Sequence, residues 1–141
     1  MELLDVNVLV NAYRQDAPEH RAFTEYVERL ANGVVPFAVP SVVLGGFLRI
    51  VTHPRIFSPP STLDDALTFA DQVRALPHCI LLTAGTRHAD IFVDLCRAGD
   101  ARGNLVSDAY LAALAIETGS ELVTADRGFA RWPGLRYRHP S

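Results

Sequence analysis

Three aspartates in this chain stand at places from which carboxylates can do chemistry. Asp5 directly follows Leu3-Leu4, Asp126 follows Leu122-Val123-Thr124 at the end of that run, and Asp108 falls in the first turn of the strongest helical pattern. A short apolar run reads as a strand, and in an open parallel sheet ligands bind outside the carboxyl ends of the strands. Each acid alone has a simpler use. Asp108 complements a helix dipole, and Asp5 and Asp126 serve as turn residues after strands. Three acids converging on one sheet edge are another matter, because they repel one another unless a cation neutralises them. Hard oxygen ligands with no Cys or His beside them favour Mg²⁺, with Mn²⁺ as the alternative. Such a site suits phosphodiester hydrolysis, in which a metal activates a bound water and stabilises charge on the phosphate.

Short polar and basic residues accompany these acids. Asn7 and Thr124 can hold metal-bound waters or a phosphate oxygen, or they can satisfy local backbone groups. Arg49 and Arg55 flank the end of a predicted helix, where a guanidinium either grips substrate phosphate or forms a structural ion pair. The five histidines, at 20, 53, 78, 88 and 139, show no pair at ligand spacing and no nucleophile beside them, which argues against a triad hydrolase.

The elements that must position these groups alternate along the chain. Strands are predicted at 3–5, 34–39, 79–82, 121–124 and 135–138, and helices at 8–13, 20–32, 41–51, 62–76, 87–98 and 106–117. Thr62 is a predicted N-cap, Gly33 and Gly119 are stops, and Pro54, Pro59 and Pro60 mark a loop at 55–60. Phe23, Tyr26 and Phe47, at helical spacing, are expected in the core or at a dimer contact rather than as base-stacking platforms. Strands alternating with crossover-length helices imply a parallel sheet covered on both faces, an α/β sandwich in one domain over 1–141.

Composition narrows the chemistry. All 13 basic residues are arginine and there is no lysine, which excludes P-loop NTPases, Schiff-base enzymes and haloacid-type phosphoryl transfer. A net charge of −3 is not that of a protein holding nucleic acid by bulk charge, so any RNA contact must be local. Cys79 and Cys96 lack metal-ligand spacing and read as small core residues of a reducing compartment. There is no signal-peptide pattern and no apolar run of membrane-spanning length, so a cytoplasmic protein is expected.

Four segments together resemble the PIN-domain ribonucleases, and among them the VapC-like toxins of VapBC toxin–antitoxin pairs. These are Leu3-Leu4-Asp5-Val6-Asn7-Val8-Leu9, the stretch from Phe47 to Arg55, the stretch from Gly103 to Ala115 around Asp108, and the stretch from Thr124 to Leu135. The resemblance spans nearly the whole chain in the right order. It implies a three-layer α/β/α sandwich with a central parallel sheet and metal-dependent endonucleolytic cleavage of RNA. It also implies metal-binding and catalytic roles for Asp5, Asp108 and Asp126, a VapB-like antitoxin as partner, and a homodimer. Two departures stand out: Gly46 occupies the place of a frequent Glu in the second helix of this pattern, and Gly128 that of a frequent Asp. A lost carboxylate puts a second metal in question and keeps a weakened fold that only binds RNA or antitoxin as the alternative. Asp90 and Asp94 are the acids that could replace the charge, unless they simply lie on a solvated helix face.

Overall fold

A computed structural model describes residues 1–140. Ser141, the last residue of the expected domain, lies outside the described residues. Five short parallel strands form one sheet in the order β3-β2-β1-β4-β5. They are β1 (Glu2–Leu4), β2 (Phe37–Ala38), β3 (Cys79–Ile80), β4 (Glu121–Val123) and β5 (Tyr137–Arg138). Six helices connect them: α1 (Val6–Tyr13), α2 (His20–Asn32), α3 (Ser41–Val51), α4 (Leu63–Arg74), α5 (His88–Ala98) and α6 (Asn104–Thr118). Helix α1 packs on both α2 and α3, α3 packs on α4, and α5 packs on α6, giving the two outer layers of an α/β/α sandwich.

Coverage on both faces explains why the strands read as continuous apolar runs. Leu3, Leu4, Phe37, Ala38, Leu122 and Val123 are all fully buried, although successive strand residues point to opposite faces. The register pairs Leu3 with Leu122 and Leu4 with Val123, so β1 and β4 end side by side at the centre of the sheet. Phe23 and Phe47 are fully buried and Tyr26 nearly so, which places all three in the core. Tyr13, Phe47 and Phe69 form an aromatic cluster with centroids 5.0 to 5.6 Å apart, joining α1, α3 and α4.

Several predicted boundaries shift for identifiable reasons. The strand expected at 34–39 shrinks to Phe37–Ala38, because Val34 and Val35 are exposed and extend beyond the neighbouring strands. The strand expected at 79–82 stops at Ile80, and Leu81 is 81% exposed where the chain leaves the sheet edge. Helix α1 begins at Val6 because the Asp5 side chain caps it, accepting from the Val6 N–H at 2.7 Å. Thr62 does cap α4, accepting from the Asp65 N–H, but that helix ends at Arg74.

The boundary that matters most is the start of α6. Gly103, at φ +55°, lets the helix begin at Asn104 rather than 106. Asp108 is therefore in the second turn and no acid occupies the first. The dipole effect fades within one turn, so helix-dipole complementation does not account for this carboxylate. At the other end Gly119 takes the left-handed conformation at φ +67°, and the Ser120 N–H bonds the Ala115 carbonyl. That turn feeds α6 directly into β4, the strand after which Asp126 follows.

Candidate active site

Asp5 is the most constrained of the three acids. It follows β1, caps α1 and is 7% exposed. Its Oδ1 accepts from the Val6 N–H, and its Oδ2 accepts from the Thr124 hydroxyl at 2.7 Å and the Asn7 amide at 3.1 Å. Burial raises its pKa above the usual carboxylate value; the donors of Thr124 and Val6 oppose that, and the charge of Asp126 adds to it. Two carboxylate oxygens offer about four acceptor positions, so three protein donors leave Asp5 about one open, on Oδ1.

Thr124 and Asn7 tie the ends of β1 and β4 together. The Thr124 hydroxyl donates to Asp5 and receives bonds from the Asn7 amide and the Asp126 N–H, while the Asn7 carbonyl oxygen accepts from the Ala125 N–H. Every polar atom of these two side chains is engaged in holding one acid relative to another. Asp126 in turn caps a short 3₁₀ turn (Arg127–Arg131), its Oδ1 accepting from the Gly128 N–H at 2.7 Å.

Asp108 differs from both. It is half-buried, and no described donor reaches either of its oxygens. Burial first, then the charges of Asp5 and Asp126, push its pKa up to about 6, with Arg131 the one opposing charge. A partly desolvated carboxylate without a donor is costly unless something positive meets it. Asp5, Asp108 and Asp126 line one cavity of about 420 Å³ together with Asn7, Arg49 and Asn104. A smaller cavity of about 220 Å³ beside it is bounded by Asp5, Gly46, Arg49, Ser107 and Asp108.

The three acids feel one another's charge, yet among the described residues no three His, Cys, Asp or Glu side chains close into a metal cage. The two facts agree, because Coulomb interactions reach well beyond ligand-bond length. Mg²⁺ is bound through one or two carboxylates while keeping several waters. The donor chemistry, with the unpartnered Asp108 oxygens, the free Asp126 Oδ2 and one open position on Asp5, fits a hydrated hard cation better than a cage.

The remaining candidates fall as follows. Arg49 lines both cavities and has no ion-pair or hydrogen-bond partner among the described residues. Arg55 is exposed and lines neither. Asp90 and Asp94 are exposed on α5 and border neither cavity. Gly46 does stand in the site: a Cβ built on it would lie 2.7 Å from Cγ2 of Val6, the residue after Asp5. A Cβ on Gly128 would lie 2.9 Å from Asp126 Oδ1. Both glycines are thus positions of close approach.

Sequence reasoning missed Asn104 and Ser107, which border the cavities, and Arg131, whose charge reaches Asp108. Asn104 lies one helical turn before Asp108, a spacing that would have placed it on the same face. It also missed what seats α6. The His88 ring donates from Nε2 to the Tyr110 carbonyl at 2.9 Å, and Glu117 accepts from the Gly85 and Arg87 N–H groups.

A family model of the PIN domain matches residues 3–135. The chain belongs to the PIN-domain family. Ribonuclease VapC43 of Mycobacterium tuberculosis is 45% identical to it over 99% of this chain and 95% of that protein. Ribonuclease VapC25 of the same organism is 42% identical over 99% of both. Among solved structures, VapBC2 from Rickettsia felis bound to a promoter DNA fragment superposes with a TM-score of 0.73 at 20% identity, covering 98% of this chain and 97% of that one. DNA-bound VapBC from Salmonella typhimurium gives a TM-score of 0.69 at 18% identity, covering 99% and 98%. This PIN chain therefore has the expected three-layer fold with its acids on the carboxyl edge. No helix of the described residues is long and apolar enough to cross a membrane.

Proposed function

We propose that this chain is a metal-dependent endoribonuclease, the VapC-like toxin of a VapBC pair, acting in the cytoplasm. The observation that carries the reading is Asp108, a half-buried carboxylate with no donor, facing Asp5 and Asp126 across one cavity. Relatives more than 40% identical over 99% of the chain are named ribonucleases, which supports phosphodiester hydrolysis as the reaction. Asp5, Asp108 and Asp126 would hold the cation, Mg²⁺ or Mn²⁺. When bound, the metal supplies an activated water and charge stabilisation at the phosphate. The protein's own part is positional: Thr124 and Asn7 fix Asp5 relative to Asp126, and α6 presents Asp108 against them. Arg49, unpaired on the cavity wall, binds substrate phosphate, and Asn7 supports that edge from beside Asp5.

Solved structures of similar fold are VapBC complexes, which supports a VapB-like antitoxin as partner. A homodimer is part of the same reading, and exposed Ile80 and Leu81 on the sheet edge are apolar surface available for it. Light scattering of the antitoxin-free protein tests that, and a monomer at all concentrations rejects it. Cleavage of total RNA by purified, antitoxin-free protein in Mg²⁺, Mn²⁺ or EDTA tests the activity. Metal-dependent fragments support it. An RNA pool left intact in both metals rejects it in favour of a fold, weakened at Gly46, that binds without cutting.

A further inference from the structure

The chain contains the tetrapeptide pattern Gly-Phe-x-Arg twice, as Gly46-Phe47-Leu48-Arg49 in α3 and Gly128-Phe129-Ala130-Arg131 in the 3₁₀ turn after β4. The two copies occupy equivalent places about the acids. In each, the glycine touches the site: Gly46 lies against Val6, next to Asp5, and Gly128 against the Asp126 carboxylate. In each, the phenylalanine is a fully buried anchor, Phe47 at 0% and Phe129 at 1% exposure. In each, the arginine is exposed three residues after the glycine, one turn further along the same face. The sheet order sets α3, which follows β2, and the 3₁₀ turn, which follows β4, on opposite sides of β1 and its terminal Asp5.

Both guanidiniums are held ready rather than neutralised. Arg131 donates one N–H, from Nε, to the Gly128 carbonyl at 3.3 Å and lies 5.9 Å above the ring of buried Trp132. Its other four N–H groups have no acceptor among the described residues. The same Gly128 that accepts from Arg131 donates to Asp126, so one residue sets the cation relative to the acid. Arg49 commits no N–H at all. By contrast Arg14 is paired with Asp16, and Arg138 with Glu2 and Glu121. In a chain of net charge −3 with an acidic cleft, a polyanion needs local cations to approach.

We propose that Arg49 and Arg131 form a two-sided clamp that grips single-stranded RNA by phosphates on either side of the bond to be cut. This rests on the ribonuclease reading and adds to it Arg131 and its pairing with Arg49 across the cleft. Where the family pattern places further acids, this chain has glycines, each followed three residues later by one of the two clamp cations. Guanidiniums suit the task because they bind phosphate oxygens in a fixed, bidentate fork.

The test titrates fluorescein-labelled poly(U) RNA in EDTA, at several salt concentrations, with proteins carrying Asp108→Asn so that no cleavage occurs. Adding Arg49→Gln or Arg131→Gln lowers the slope of log affinity against log salt by about 0.7 each, and both together by about 1.4. Each lowers affinity roughly tenfold at constant salt. Arg131→Lys restores the slope, which shows that the loss is of charge and not of fold. Arg21→Gln, 93% exposed on α2, removes equal charge and leaves binding unchanged. In the otherwise unaltered enzyme with Mg²⁺, Arg131→Gln raises KM more than it lowers kcat. Unchanged slope and affinity in Arg131→Gln, no RNA binding by the parent, or an equal loss in Arg21→Gln overturns the clamp. Clamp-dependent binding by a protein that never cuts RNA would instead overturn the ribonuclease reading alone.

Discussion

Asp108→Asn should stabilise the metal-free protein while abolishing its activity. The carboxylate is pushed from an ordinary 3.8 up to about 6, chiefly by burial and then by Asp5 and Asp126. A folded-state pKa above the unfolded one means that the folded chain holds the proton more tightly. Stability linked to that proton is complete below about 3.8 and is lost as pH rises through about 6. The full span corresponds to about 3 kcal/mol, which solvent screening at a half-buried site reduces to about 1–2 kcal/mol. For a domain of this size that is about 2–8 °C in Tm. Differential scanning fluorimetry in EDTA at pH 7.5 should therefore show Asp108→Asn melting several degrees above the parent. The gain should vanish near pH 4, where the parent carboxyl is protonated. Excess Mg²⁺ should raise the parent's Tm and leave the variant's unchanged. A variant that melts below the parent in EDTA at pH 7.5, or by the same increment above it at both pH values, would refute the electrostatic reasoning.

Other consequences follow from the same contacts. Thr124→Val leaves Asp5 and the Asp126 N–H without a shared partner in a site 2% exposed, so it should cost about 1–3 kcal/mol in denaturant unfolding and cut RNA cleavage at least tenfold. Gly46→Glu drives a side chain into Val6 and should destabilise by about 1–3 kcal/mol; Val6→Ala should recover part of that in a double-mutant cycle, and simple additivity would contradict the contact. Phe129→Ala empties a fully buried ring position beneath the 3₁₀ turn and should cost about 3–5 kcal/mol in a chemical melt. Because a cation competes with the Asp108 proton, apparent Mn²⁺ affinity should climb with pH up to about 6 and level off above it, whereas a flat profile from pH 5 to 8 would tell against Asp108 as a ligand.

The fold class was legible because burial on both faces leaves a direct trace, the continuous apolar runs Leu3-Leu4 and Leu122-Val123. The same trace misled at the sheet edge, where Val34, Val35, Leu81 and Leu82 look like strand but extend past their neighbours. Apolar composition alone does not reveal whether a partner strand is there to pair with. The three aspartates could be placed on one edge from the strand ends and the helix pattern. Their individual states could not, since these depend on contacts 117 to 119 residues apart in sequence, between Thr124, Asn7 and Asp5. The start of α6 was misjudged by two residues because Gly103 looks like loop, while its positive φ is what launches the helix. Arg131 was invisible for a related reason: only the turn after Asp126, folded back through Gly128, brings its charge to Asp108.

The most direct test of the account is the binding of Mn²⁺ to the purified chain, followed by calorimetry near pH 7.5 for the parent and for the Asp5→Asn, Asp108→Asn and Asp126→Asn variants. Saturable binding by the parent that falls at least tenfold in Asp108→Asn, and weakens in the other two, is the predicted result. Equal binding by the parent and Asp108→Asn would contradict the claim that these carboxylates form one cation site.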